Sequence, residues 1–228
     1  KKPKILIVTN NGKIGLLQWE FSGKNPGNIK NFLPSGIELE NIIAIMKLPS
    51  EKESSLGLLT SDGKFKRLAI EEILEISNRA TTVLKLKNNV TIQSALFCKD
   101  NDRLVIITDI GRILNIGINN ETLPIMGKLA KGSAIMNIFP EEIIVKALCI
   151  KEKEEGKLSL ITKKGKIIEH KISSIKSHSK GDLGVIGIKL NHNKDEVLSA
   201  YKKNKDVIVI SSMNKVAQLS QYDKNIYD

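Results

Sequence analysis

The sequence predicts an all-β repeat protein of about five units, each of ~50 residues and about four short strands, set like the blades of a propeller. Three observations carry this. A turn motif recurs in phase as Thr9-Asn10-Asn11-Gly12-Lys13, Thr60-Ser61-Asp62-Gly63-Lys64, Thr108-Asp109-Ile110-Gly111-Arg112 and Thr162-Lys163-Lys164-Gly165-Lys166, with a divergent copy at Ser211-Ser212-Met213-Asn214-Lys215. The first residues of successive copies are 51, 48, 54 and 49 positions apart. Aromatic residues make up only 4% of the chain, so the core must be Ile, Leu and Val, which favour strands.

Each unit opens with a mostly apolar tetrad: Ile5–Val8, Leu56–Leu59, Leu104–Ile107, Leu158–Ile161 and Val207–Ile210. The turn follows, and then another apolar residue: Ile14, Phe65, Ile113, Ile167 and Val216. That is strand, turn, strand. A three-residue hairpin loop ends in a left-handed residue, for which Gly is best and Asn the usual substitute. Gly12, Gly63, Gly111, Gly165 and Asn214 fit that requirement.

The second half of a unit begins with a small, partly basic loop, read as Gly23-Lys24, Arg79-Ala80, Lys131-Gly132 and Lys180-Gly181. Apolar runs come next at Ile29–Leu33, Val83–Leu86, Ala134–Phe139 and Val185–Leu190. Closing strands are expected at Ile42–Met46, Ile92–Phe97, Ile143–Leu148 and Val197–Tyr201. Ala69–Ile76 has a helix-like pattern, but its counterparts at Gly117–Thr122 and Ile172–Lys176 do not, so it is read as non-helical. The whole chain, 1–228, is read as one domain with repeats at about 1–54, 55–101, 102–156 and 157–205 and a partial one at 206–228. The lack of an initiator Met suggests a piece of a longer protein.

Catalytic patterns are scarce. His170, His178 and His192 have no metal-ligand spacing, Cys98 and Cys149 form no CxxC pair, and no phosphate-cradling Gly-rich loop is present. His170 and His178 read as exposed polar residues, Trp19 as packing, and the cysteines as reduced thiols of a cytoplasmic protein. No apolar run approaches the ~18 residues that span a bilayer, so no membrane association is expected. No catalytic residue, metal or cofactor is expected.

The balance is strongly basic: 36 Lys and Arg against 25 Asp and Glu, a net charge of +11. Nearly all the basic residues are Lys, which suits phosphate backbone better than base readout. They cluster at the hairpin and the strand leaving it (Lys13; Lys64, Lys66 and Arg67; Arg112; Lys163, Lys164 and Lys166; Lys215) and at the loop before the third strand (Lys24, Arg79, Lys128, Lys131, Lys176 and Lys180). Lys171 lies between these sets in the densest unit. If the units form a ring, these charges form a belt around which a duplex could bend. A run of mixed charge at Lys151–Lys157 reads as a solvated loop.

The unit of apolar tetrad, Thr-x-x-Gly-basic, apolar strand, basic loop and Gly-Val-x-Gly-Ile-x-Leu resembles the repeat in the C-terminal domain of the A subunit of bacterial type IIA topoisomerases, DNA gyrase A and its topoisomerase IV equivalent. The fourth unit matches best, through Leu160–Lys166 and Lys180–Leu190. The resemblance implies a β-pinwheel, a propeller-like disc whose blades exchange strands. It also implies non-catalytic, sequence-independent binding and wrapping of double-stranded DNA on a basic rim. The partners would be the rest of the A subunit and the ATPase B subunit, and the setting the bacterial nucleoid. The wrapping box of gyrase A, Gln with two basic residues, Gly-Gly, a basic residue and Gly, is not found; Gly127-Lys128-Leu129-Ala130-Lys131-Gly132 comes nearest. That leaves open a topoisomerase IV-like or divergent domain that binds DNA without strong wrapping. A propeller used for protein interaction is the alternative of another class.

Overall fold

A computed structural model describes residues 4–17, 27–51, 53–191, 194–202 and 208–218. The first repeat contributes β1 (Ile5–Thr9), β2 (Lys13–Leu16) and β3 (Ile42–Lys47); the second β4 (Ser55–Thr60), β5 (Lys64–Ala69), β6 (Thr81–Thr82) and β7 (Ile92–Cys98). The third contributes β8 (Arg103–Thr108), β9 (Arg112–Gly117), β10 (Ser133–Ala134) and β11 (Ile144–Ile150). The fourth contributes β12 (Lys157–Thr162), β13 (Ile167–Lys171), β14 (Val185–Ile186) and β15 (Val197–Lys202), and the fifth the hairpin of β16 (Ile208–Ile210) and β17 (Val216–Gln218).

Repeat and blade do not coincide. The sheets run β3-β1-β2-β6, β7-β4-β5-β10 and β11-β8-β9-β14, so each fourth strand is donated by the following repeat. The next sheet has three described strands, β15-β12-β13. This all-β arrangement of strand-exchanging blades is the β-pinwheel. The donated strands are shorter than the apolar runs suggest. Val83–Leu86 and the residues that follow Ala134 continue without strand pairing, and Ile29–Phe32 is a 3-10 helix.

The donated strand is held by the turn it meets. The Gly12 carbonyl accepts the amides of Val83 and Leu84, Gly63 those of Ile135 and Met136, and Gly111 that of Gly187. These bonds fix the alignment of repeats and revise one element of it. Val83, Ile135 and Gly187 are equivalent, so Lys131-Gly132 corresponds to Leu183-Gly184, and Lys180 corresponds to Lys128. Gly132 and Gly184 stand where a Cβ would meet the Phe65 oxygen at 2.8 Å and the Ile113 oxygen at 2.4 Å, which explains both glycines by close backbone approach.

The core lies between blades. Leu6, Val8 and Ile14 of the first blade pack with Leu56, Leu58 and Leu68 of the second. Leu59 and Phe65 then meet Leu104, Ile106 and Leu114, and Val105 and Ile107 meet Leu158 and Leu160. Alternate residues of each central strand thus face opposite neighbours, so those strands are buried on both sides and read as continuous apolar runs. Each such Leu or Ile contributes roughly 1.5–3 kcal/mol when fully buried.

Two local readings are corrected. Ile70–Leu74 is a short α-helix, α1, which buries Ile70 and Ile73 in the first junction while Glu71 and Glu72 fall in its first turn. Its counterpart Ile172–Ser174 forms a single 3-10 turn. The four closing strands each slip register at the same place, between the partners of Val8/Thr9, Leu59/Thr60, Ile107/Thr108 and Ile161/Thr162. The bulge leaves Ile43 and Leu198 exposed although both sit in apolar strands.

Candidate nucleic-acid interface

The hairpin turn is built by the first and fourth residues of its motif. The φ angles of Gly12, Gly63, Gly111 and Gly165 lie between 81° and 87°, and Asn214 has 58°. The hydroxyl of the first residue accepts the amide of the basic position: Thr9 from Lys13 at 3.2 Å, Thr60 from Lys64 at 2.9 Å, Thr108 from Arg112 at 3.3 Å, Thr162 from Lys166 at 3.1 Å and Ser211 from Lys215 at 3.1 Å. The recurrence of a β-hydroxyl at this position in all five copies was the signal for that role. The motif therefore fixes backbone, and leaves the side chain of its last residue to other work.

Strand exchange brings the two basic clusters of the sequence onto one edge. Lys13 pairs in register with Thr82, three residues past Arg79, and Lys64 with Ala134, three past Lys131. Arg112 pairs with Ile186, beyond Lys176 and Lys180. Arg79 and Lys131 therefore stand near the hairpin of the preceding blade, while the pairing of His178 with Ile116 places Lys176 toward the far end of β9.

Three of the expected contacts are not on that edge. Lys66, Arg67 and Arg112 are 1%, 1% and 3% exposed. Each cation is spent inside the protein. Lys66 donates to the carbonyls of Val83, Lys128 and Ala130. Arg67 donates from Nε to the Ser55 hydroxyl at 3.0 Å and from Nη1 to the Leu123 carbonyl at 2.9 Å, and pairs with Asp100 at 2.8 Å. Arg112 forms a two-pronged pair with Glu142, donates to the carbonyls of Leu183 and Asn137, and lies 4.2 Å over the Phe139 ring. Side chains of central strands face neighbouring blades, so a base there must find buried acceptors.

The electrostatics agree with that role. Burial pushes the Lys66 pKa down to about 8, with Glu72 opposing. Burial alone would raise the Glu142 pKa, but its bonds from Arg112, Thr108 and the Phe139 amide outweigh it and hold the carboxyl below its usual range. Asp102 is likewise held low against its burial, by bonds from Lys151, the Lys99 amide and the Cys149 thiol. Cys149 in turn is pushed up to about 12 by burial and by Asp102. Both cysteines carry free thiols, Cys98 fully buried and Cys149 partly.

The remaining expected bases stand as follows. Arg79, Lys131, Lys164, Lys166, Lys171, Lys176, Lys180 and Lys215 are exposed, and Lys13 and Lys64 are half-buried. Lys128 pairs with Glu72 at 3.3 Å, and Lys163 pairs with Glu196. Lys171 lies at the end of β13 away from the turn, opposite Lys157. At ~3.3 Å per residue that is roughly 16 Å from Lys166. Lys24, Trp19 and His192 lie outside the described residues. Exposed lysines that the sequence reading passed over are Lys85, Lys87 and Lys189, on the segments that continue from the donated strands. Their interleaving with buried Val83, Leu84 and Ile188 was the available signal.

His170 and His178 are not free surface groups. His170 Nε2 is 2.7 Å from the Gly187 carbonyl, and His178 Nδ1 accepts the Asn115 amide at 3.1 Å, so both fasten the fourth repeat to the third blade. Among the described residues no cluster of His, Cys, Asp and Glu could hold a metal, and no helix is long and apolar enough to cross a membrane.

The family model described as DNA gyrase C-terminal domain, beta-propeller matches residues 58–99, 102–151 and 156–202, more than half of the chain. The chain belongs to this family. The DNA gyrase A subunit of Borrelia hermsii (strain HS1 / DAH) is 22% identical over 222 residues, covering 93% of this chain and 27% of that protein. The DNA topoisomerase 4 A subunit of Synechocystis sp. (strain ATCC 27184 / PCC 6803 / Kazusa) is 25% identical over 165 residues, 68% of this chain and 18% of that protein. The chain thus spans about a quarter or less of the curated relatives it matches. Among solved structures, the C-terminal domain of DNA topoisomerase IV superposes with a TM-score of 0.80 at 18% identity, covering 96% of this chain and 69% of that one. The E. coli ParC C-terminal domain gives 0.64 at 16% identity, covering 96% and 86%. At such identities the structures speak for the pinwheel fold.

Proposed function

We propose that this gyrase-type pinwheel is the non-catalytic DNA-binding part of a topoisomerase A subunit. It holds double-stranded DNA along the basic outer edge of successive blades without reading sequence. The observation that carries this is the strand exchange, which sets Arg79 and Lys131 near the hairpins of preceding blades and Lys176 and Lys180 along the β9 edge of the third blade. Lysines so arranged meet phosphates of a curved duplex and release counterions. With the rest of the A subunit and the ATPase B subunit, the domain supports ATP-dependent change of DNA topology in the bacterial cytoplasm.

One observation favours a topoisomerase IV-like variant that bends DNA without strong wrapping. The hairpin base of the third blade, Arg112, is buried against Glu142, which interrupts the row of turn cations. The test is affinity for duplexes of unrelated sequence at rising salt. The expected result is sequence-independent binding whose log K falls linearly with log salt, by about 0.9 per phosphate contacted. No binding at low salt overturns the reading. A minicircle or topology-shift assay separates wrapping from plain bending.

A further inference from the structure

We propose that Lys66 is a positioning residue for the basic edge: its buried ammonium ties together two basic segments of successive repeats, 83–87 and 127–132, and so sets where Lys85, Lys87 and Lys131 stand. The proposal rests on the DNA-binding reading for its consequence, but not for its geometry.

The Lys66 ammonium donates to the Val83 carbonyl at 2.5 Å, to Lys128 at 2.8 Å and to Ala130 at 3.0 Å. Three carbonyls use its three hydrogens. Val83 also donates its amide to the Gly12 carbonyl at 2.9 Å, so the first segment is pinned between the turn of one blade and a lysine of the next. Segment 127–132 comes from the third repeat. It has little apolar anchorage, since Leu129 is 89% exposed. Polar bonds therefore hold it: Lys66 takes its backbone, and Glu72 of α1 takes the Lys128 side chain at 3.3 Å. Lys131 projects from this loop and is exposed.

The anchor responds to pH. Glu72 favours the charged form of Lys66 and is shared with Lys128; on the same strand Arg67 is matched by Asp100, and Lys64 lies at the turn. Desolvation outweighs Glu72. Opening of the two segments returns the ammonium to water and takes up a proton, so opening becomes less favourable as pH rises through about 8.

The experiment is backbone hydrogen exchange of the wild type and Lys66→Met, with duplex affinity measured against salt. The expected result is a folded variant whose exchange quickens by about tenfold in 83–87 and 127–132 alone, and whose salt slope falls by about one phosphate contact or more although residue 66 is buried. Lys131→Gln should then weaken binding less in the Lys66→Met background than in the wild type. Unchanged exchange in both segments, or strict additivity of the two substitutions, overturns the proposal. If Lys66→Met does not fold, the wild type decides: protection in the two segments should rise between pH 7 and 9.5 after correction for intrinsic rates, and constant protection overturns the anchor. If no wild-type DNA binding exists at low salt, the interface reading fails by itself, and the exchange result still judges Lys66.

Discussion

A Cβ placed on Gly63 would lie 2.1 Å from the carbonyl oxygen of Met136, on the segment the third repeat donates to the second blade. Gly12 stands in the same relation to Leu84, also at 2.1 Å. The turn glycine therefore answers two demands, a left-handed φ and room for the neighbouring backbone. Asn214 meets only the first, at an exposed turn. Gly63→Asn should cost about 2–5 kcal/mol, through crowding that the φ preference of Asn does not relieve. Asn214→Gly should leave the urea midpoint unchanged. A Gly63→Asn variant of wild-type stability would show that φ alone selects glycine there.

Arg112 and Glu142 form a buried pair, so removing one partner strands the other. Glu142→Gln should destabilise by about 3–5 kcal/mol, and Arg112→Met/Glu142→Leu by less than the sum of its single changes. The pH dependence has a definite sign. The folded Glu142 pKa lies below its unfolded value of 4.5, so its contribution is whole above that value and is lost as pH falls through the folded one. Urea midpoints measured from pH 6 down to 3 should fall more steeply in the wild type than in Glu142→Gln.

Lys66 has the opposite sign. Its pKa drops from 10.5 to about 8 on folding, so between those values the unfolded chain binds more protons. Stability from this group should therefore rise with pH from about 8 to 10.5 and level off above. Lys66→Met should remove that rise, read as the difference in urea midpoint between the two proteins across the window. Parallel curves for wild type and variant would contradict the buried ammonium.

The densest exposed charge lies at the fourth blade. Lys164→Glu/Lys166→Glu should weaken duplex binding well beyond Lys47→Glu/Lys153→Glu, which changes net charge equally. Lys151 is unsuitable for the control, because its ammonium pairs at 2.9 Å with Asp102, whose side chain is fully buried. Fluorescence anisotropy at moderate salt checks this, and equal losses would mean that net charge and not placement governs binding.

Much of the fold was legible because its signals are local. The phased Thr-x-x-Gly-basic turns required a left-handed residue at one position, and the apolar tetrads before them had to be strands. α1 escaped because comparison with its sister segments outweighed its own Glu-Glu-Ile-Leu pattern. The bulges in the closing strands left no mark in the sequence, since a slip of one residue changes exposure and not composition. The alignment of Lys180 was misread because a Lys-Gly pair recurs three residues before the glycine that actually meets the preceding blade.

The candidate interface divides along the same line. By itself the sequence determined the repeat, the hairpins and a surplus of lysine in phase with them. Only the tertiary structure decided which cations face solvent. Lys64 and Lys66 are two residues apart on one strand, and by alternation should share a face. Yet Lys64 lies at the turn, half-buried, while Lys66 lies beneath the loop of the next repeat, among three carbonyls. That difference comes from strand exchange, which covers one position with backbone from a residue more than sixty places on in the chain. A spacing rule carries no information about a partner that distant.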